Sequence, residues 1–425
     1  MIRLAIKSLL NRRASVLLTV IAIAVSVTLL LAVERVRDQV QSHFANTVSG
    51  TDLIIGARTG QTQLLLSSVF HIGSMTNNMS WESFAEISSR PEISWAVPIS
   101  LGDSVQGLPV VATTNAYFEH FKYADKQPLE FSQGQPFASN EDVVLGADAA
   151  EKLSKAIGDD IIIAHGSGGI SFSEHDEHPL TVTGVLQRTG TPVDQAVLVT
   201  LHSLEMIHSG GAGHDEEHNH NHEHEHNDAH ADEHEHHGEA PAESISAALL
   251  GLKAKPLALR LQRQINTYDK EPLTALLPGM TLQELWKTLR VFEQALTAIS
   301  AMVVLIGLLG MLTIMLASLR ERRREMAVLR AVGAGPGTIF GLLLSEALLL
   351  TVVGAFSGLL LLYGLQWSLA GVIQSQTGLI FTSSWPSISE WWRIVLVIGA
   401  GFMLSLIPAW RAYRQSLADG LTVKI

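Results

Sequence analysis

Cysteine is absent from the 425 residues. That excludes disulfides, thiolate metal sites and cysteine nucleophiles, and it leaves the redox compartment open. Charge is scarce as well: 16% of residues are Asp, Glu, Lys or Arg, against about 25% in soluble domains. Basic residues are the minority, 29 against 41 acidic, for a formal net charge of −12, which argues against a nucleic-acid partner. No Gly-Lys dipeptide occurs, so there is no phosphate-cradling G-x-x-x-x-G-K-[ST] loop. No helix-patterned segment carries H-E-x-x-H and no G-x-S-x-G elbow is present, which leaves protease and esterase chemistry without support. What is abundant is apolar. Hydrophobic residues make up 47% of the chain, mean hydropathy is +0.24, and the excess is gathered into a few blocks.

The first block, Val16 to Val33, is uncharged and, with Ser15, just long enough to cross a hydrocarbon core of about 30 Å. It exceeds a signal-peptide core, and Glu34-Arg35-Val36-Arg37-Asp38 follows in place of a small-residue cleavage site, so a retained anchor is expected. The second block, Ala295 to Leu319, is also free of charge. The third runs from Thr338 to about Leu365 and carries one acid, Glu346. The fourth, Ile394 to Trp410, is flanked by Trp391, Trp392 and Trp410, residues suited to the membrane interface. Arg3, Lys7, Arg12 and Arg13 precede the first block, Arg320, Arg322, Arg323, Arg324 and Arg330 follow the second, and Arg411, Arg414 and Lys424 follow the fourth. All three basic clusters lie on the cytoplasmic side only with four spans and both termini inside. Residues 1–33 are then the amino terminus and first span, residues 34–294 one large outside domain, and residues 295–425 the remaining spans with a cytoplasmic segment at 320–337. The expected fold class is an α-helical four-span membrane protein with a large mixed α/β domain between spans one and two.

Within the outside domain, Glu34 to Phe44 lacks Gly and Pro and continues the first helix as a stalk. A matching stalk leads back in, with Thr281 and Glu284 at capping-box spacing and Leu282, Leu285, Leu289 and Phe292 at helical intervals. Asp52 to Ile55, Asp142 to Leu145, Asp160 to Ala164, Leu180 to Leu186 and Gln195 to Thr200 read as strands. Ala147 to Ala156 and Trp81 to Arg90 read as helices, the latter capped by Ser80. Residues 210–243 break the pattern. Their composition cannot offset the entropy of ordering and predicts an unstructured loop.

That loop holds ten of the eighteen histidines: His214, His218, His220, His222, His224, His226, His230, His234, His236 and His237. Between His214 and His237, nine acids and no base are interleaved. Imidazoles among carboxylates suit Zn²⁺, and also Cu²⁺ and Ni²⁺. Without fixed spacing, the loop is expected to take up several ions loosely and to hold none as a tight cofactor. Capture or sensing of zinc is one reading; a passive solvated spacer is the other. The smaller cluster Glu174-His175-Asp176-Glu177-His178 reads as a solvated hairpin tip before a second metal contact. Glu346, about two turns into the third span, is a candidate functional residue, with snorkelling or pairing to Arg330 or Arg411 as the alternative. Gly354 and Gly358 have the spacing for close helix packing, within the chain or in a dimer.

Arg324-Glu325-Met326-Ala327-Val328-Leu329-Arg330-Ala331-Val332-Gly333-Ala334 resembles the E-[IM]-[AG]-x-[LM]-[RK]-A-[LIV]-G-A signature of the permeases typified by the macrolide exporter MacB, the lipoprotein releasers LolC and LolE, and the division protein FtsX. It stands where that family has it, after the second of four spans. Leu9-Leu10-Asn11-Arg12-Arg13, Pro408-Ala409-Trp410-Arg411-Ala412, Val144-Leu145-Gly146, Val182-Thr183-Gly184-Val185 and Gly190-Thr191-Pro192-Val193-Asp194 are similar to other parts of the family. The His-rich insertion is not. The resemblance implies a permease dimer, with a second copy or a paralogue, that is no enzyme itself and takes ATP-driven motion from a separate cytoplasmic ATPase in a bacterial inner membrane. Arg324, Glu325, Met326, Leu329, Arg330 and Gly333 would then belong to the coupling segment that docks on that ATPase. The bland alternative is a merely basic inside loop. Export or extraction of a substrate, activation of a periplasmic or outer-membrane partner without substrate flux, and zinc uptake all remain open.

Overall fold

The computed structural model describes residues 13–47, 50–73, 75, 77–124, 126–165, 173–174, 179–210, 242–321, 331–377 and 385–418. Among them the helices are α1 (Arg13–Thr47), α2 (Gln61–Phe70), α3 (Trp81–Ser88), α4 (Ala116–His120), α5 (Ala147–Leu153), α6 (Leu201–Gly210), α7 (Ala258–Asn266), α8 (Pro278–Glu321), α9 (Pro336–Thr377) and α10 (Ile388–Ala418). Four of these, α1, α8, α9 and α10, are long and apolar enough to cross a membrane. The chain divides into two compact units. One is helical, built from Met1–Gln41, Leu289–Gln374 and Ile380–Ile425; the other is α/β, built from Ser42–Thr288 with Ser375–Leu379.

In the helical unit, apolar residues at three- and four-residue spacing form the inner faces. Ile23, Val27 and Leu31 of α1 pack with Val304, Leu308, Met311 and Met315 of α8, Ala347, Leu350, Ala355 and Leu359 of α9, and Ile394 and Val397 of α10. Between apolar helices in lipid there is little hydrophobic gain, so close backbone approach and interhelical hydrogen bonds must hold them together. The residues along α1 supply both. An added Cβ at Gly354 would stand 2.7 Å from the Ile23 Cβ, and one at Gly358 would stand 2.7 Å from the Ala24 carbonyl oxygen. The Thr28 hydroxyl donates to the Gly358 carbonyl at 2.9 Å, and the Ser26 hydroxyl donates to the Val303 carbonyl at 3.2 Å, beside Gly307. The Gly354/Gly358 pair thus serves contact within the chain. α8 begins at Pro278, three residues before the expected cap at Thr281: the Leu277 carbonyl accepts from the Thr281 amide at 3.0 Å, and proline suits the first helical position because its missing N–H needs no partner there.

The α/β unit is organised by a long mixed sheet. Its path is β16 (Leu273–Leu276), β1 (Leu53–Ala57), β15 (Ala247–Leu252), β3 (Ile93–Val105), β4 (Leu108–Thr113), β13 (Val197–Thr200), β8 (Asp142–Leu145), β12 (Leu180–Leu186) and β7 (Phe131–Gly134). β13 runs parallel to β4 and β12 parallel to β8; the other neighbours along the path are antiparallel. Both faces are covered. Leu53, Ile55, Val143, Leu145, Val197 and Val199 point into one core with Phe84, Ile87, Leu204, Ile207, Leu261 and Ile265 of α3, α6 and α7. The alternate residues Ile54, Val144, Leu198 and Leu249 point into the other, with Leu64 and Leu65 of α2, Tyr117 and Phe118 of α4, and Leu282 of α8. Phe44, at the end of α1, stacks on Phe70 at 4.2 Å and meets Trp286 of α8 edge-on at 5.6 Å, so both stalk ends are rooted in this second core. Ser80 caps α3 as expected, accepting from the Ser83 amide at 3.3 Å. α5 stops at Leu153, short of the expected Ala156, because Ser154 takes the left-handed conformation at φ 52°. Asp160–Ile161 and Ala164–His165 are two short strands where one was expected.

Gly354→Leu is expected to destabilise the protein by about 1–3 kcal/mol through forced separation of α1 and α9. Gly364→Leu, where an added Cβ meets nothing within 4 Å, should unfold close to the parent temperature in the same detergent. A second expectation concerns acid. His71 caps α2 in the left-handed region at φ 53°, its Nδ1 is enclosed with no hydrogen-bond partner among the described residues, and burial pushes its pKa down to about 4. The unfolded chain takes up that proton near pH 6.5, so stability is complete above 6.5 and falls by about 1–3 kcal/mol as pH drops toward 4. Thermal unfolding across this range should lose that component in His71→Gln.

Candidate functional site: a buried charge cluster

One turn past Leu31, α1 changes character at Glu34, Arg35, Arg37 and Asp38. The side chains of Glu34 and Arg35 are only 6% and 7% exposed, which is tolerable for charges only when they are paired and hydrogen-bonded. They are. The Glu34 carboxylate receives Arg37 Nη2 at 3.0 Å from one turn along its own helix and Arg393 Nη2 at 2.5 Å from α10. Arg35 Nε stands 3.8 Å from Glu390 of α10, its Nη2 donates to the Tyr363 hydroxyl of α9 at 3.3 Å, and its guanidinium lies 4.6 Å above the Tyr363 ring. Arg37 also reaches Asp38 at 3.0 Å. Slightly further along, Gln41 donates to Glu293 of α8 at 3.1 Å. In this short stretch α1 makes polar contact with each of the other three long helices.

Glu390 has a second role. The Ser387 amide donates to its carboxylate at 3.1 Å, and the Glu390 amide donates to the Ser387 hydroxyl at 3.3 Å. This reciprocal capping box starts α10 and holds the carboxylate that meets Arg35. The S-x-x-E string at 387–390 was the signal that the fourth helix begins six residues before Ile394. The Glu34-to-Asp38 string has the look of a chain leaving the membrane, and nothing in its local pattern indicates that two of its charges are buried.

The residues singled out from sequence are distributed otherwise. Arg324, Glu325, Met326, Leu329 and Arg330 lie outside the described residues. Gly333 lies in a turn at φ +98° before α9. Glu346 is buried within α9. The ten histidines of 214–237 and His175 to His178 lie outside the described residues. Flanking the His-rich segment, α6 packs through Leu204 and Ile207, and Ser244–Ile245 pairs with Met79–Ser80. Among the described residues no group of three or more metal-binding side chains is assembled. Trp391, Trp392 and Trp410 are exposed on α10. In the Gly190-to-Asp194 motif, buried Asp194 accepts from the Thr189 amide and hydroxyl, both at 2.8 Å, and from the Gly190 amide at 2.7 Å. Burial nevertheless holds its pKa above the usual carboxylate value. Its work is to fold the turn.

Residues 14–222 match the MacB-like periplasmic core domain, and residues 297–417 match the FtsX-like permease C-terminal domain. The chain belongs to the ABC transporter permeases of the MacB and FtsX type, multi-pass proteins of the bacterial inner membrane. Among curated relatives it is similar to the pyoverdine export ATP-binding/permease protein PvdT of Pseudomonas syringae pv. syringae, 32% identical over 32% of this chain and 20% of that protein. It is also similar to the macrolide export ATP-binding/permease protein MacB of a Shewanella species, 32% identical over 33% of this chain and 21% of that one. The chain therefore spans about a fifth of the length of these relatives. The crystal structure of the periplasmic region of MacB from Actinobacillus actinomycetemcomitans aligns with 57% of this chain and 97% of its own, at 12% identity and a TM-score of 0.34.

Glu34→Ala should strand the Arg393 guanidinium beside Arg37, which among the described residues keeps only Asp38, and cost about 3–5 kcal/mol. Asp38→Ala, whose side chain is 45% exposed, should change stability by no more than about 0.5 kcal/mol. Thermal unfolding of the two variants in lipid nanodiscs separates these outcomes.

Proposed function

We propose that this protein is the membrane subunit of an ATP-driven transporter, passing motion from a separate cytoplasmic ABC ATPase to an outside α/β domain that exports or extracts a substrate. The observation that carries the reading is the continuity of α1 and α8, of 35 and 44 residues. Each exceeds the roughly 20 residues that a bilayer requires, and each ends in the aromatic cluster of Phe44, Phe70 and Trp286. A helix without a break carries displacement along its axis. On this reading the ATPase docks on the segment from Arg324 to Gly333, a second permease copy or paralogue completes the complex, both termini are cytoplasmic, and lipid surrounds the long helices. A periplasmic or outer-membrane protein is a further candidate partner.

The histidine-rich segment supports a link to zinc, since an acidic spacer has no need of ten imidazoles. Zinc need not itself be transported.

Two experiments test these readings. With its ATPase in proteoliposomes, the permease should show turnover that depends on substrate, and Glu325→Ala with Arg330→Ala should abolish co-purification of the ATPase. Turnover that answers only to an outside partner protein, without flux, would replace transport with mechanical activation of that partner. Separately, competitive Zn²⁺ titration of the full chain with and without residues 214–237 should give multi-site binding that disappears on deletion. It should weaken from pH 7.5 to 5.5 as imidazoles protonate; indistinguishable isotherms would reduce the segment to a spacer.

A further inference from the structure

We propose that the charge cluster is a reversible clasp between α1 and α10, in which Arg393 is the exchangeable partner of Glu34 and Arg37 is its resident one. The proposal rests on the reading of the chain as a motion-transmitting permease for its place in a working cycle, but its geometry stands independently.

A buried carboxylate with one distant partner resists separation, because parting the pair strands a charge away from water. Glu34 is built differently. Arg37 is one turn along the same helix and travels with Glu34 through any displacement of α1, while Arg393 belongs to α10. If α10 moves away, Glu34 keeps one guanidinium. Arg393 is 26% exposed against 6% for Glu34, and its long side chain can turn its charge toward water or lipid headgroups.

The second α1–α10 contact repeats this design. Arg35 and Glu390 stand 3.8 Å apart, a long distance for an ion pair. Arg35 retains the hydroxyl and ring of Tyr363 on α9, and Glu390 retains the Ser387 amide. Among the described residues, every charge that links α1 to α10 therefore has another partner on or next to its own helix or on α9, apart from the semi-exposed Arg393. The α1–α9 contact has the opposite character. Backbone close approach at Gly354 and Gly358 and the Thr28 hydrogen bond admit no substitute partner. α10 in turn is held to α9 at Gly401, where an added Cβ would stand 2.5 Å from the Thr351 methyl, eight residues from Arg393. This arrangement makes α1 and α9 one rigid pair and frees the Arg393 end of α10 to swing about Gly401.

The full chain in lipid nanodiscs provides the test, with no ATPase or substrate needed, so its failure is distinct from failure of the transport reading. Arg37→Ala and Arg393→Ala should each lower the unfolding temperature only slightly. The double variant should lower it by clearly more than the sum, and adding Glu34→Gln to the double variant should restore most of the loss. Additive shifts would overturn the resident-and-exchangeable scheme. Should the double variant fail to fold, the single Arg393→Ala variant decides. Because the native chain has no cysteine, spin labels can be placed at the exposed positions Val36→Cys, Trp367→Cys and Trp392→Cys. Pulsed electron resonance distances between 36 and 392 should broaden or shift in Arg393→Ala while those between 36 and 367 hold. Unchanged 36–392 distances, or equal changes in both pairs, would refute the clasp.

Discussion

The close approach of α1 to α9 at Gly354 and Gly358 is the constraint on which the helical unit depends. Two backbones in van der Waals contact fix the register of α1, because a one-residue slide would bring Cβ atoms where only glycine fits. The Thr28 hydroxyl, bonded across to Gly358, fixes it again. Once that register is set, the charged turn at Glu34 and Arg35 falls beside Tyr363 of α9 and the first turns of α10. The ion pairs follow from the packing, and they decide which neighbour α1 holds loosely and which it holds tightly.

Much of the architecture was legible from residue order because it rests on strong periodicities. Uncharged runs located the four long helices, and the alternation of Leu180 to Leu186 gave β12 its bounds. Less was legible where a strand is buried on both faces. β15, Ala247–Leu252, has every side chain buried and offers no alternation to detect. β3 carries a proline and a glycine inside thirteen residues, signals that ordinarily argue against a strand. Gly102 falls where the register with β4 shifts between Leu101 and Ser104, while Pro98 keeps its place opposite Ala248. Recognition of the permease signature did not depend on such patterns, since it rests on an ordered motif at a fixed place in the chain.

The charge cluster illustrates a different limit. Burial of Glu34 is a property of three helices that are far apart in sequence, and the local string Glu34-Arg35-Val36-Arg37-Asp38 is indistinguishable from a solvated helix end. Of this cluster only the S-x-x-E spacing of Ser387 and Glu390 is a local signal, and it marks a helix start without saying that its acid meets a second helix. Glu346 is the converse case, an acid whose position within an apolar run already marked it as unusual and which is indeed buried.

β3 has a consequence of its own. It is hydrogen-bonded to β15 along its first half and to β4 along its second, so the two halves of the sheet share one backbone. A pull directed along such a strand loads several hydrogen bonds simultaneously, in shear, whereas a pull at right angles would peel them apart one at a time. The α/β unit is thereby stiff along one direction and compliant across it.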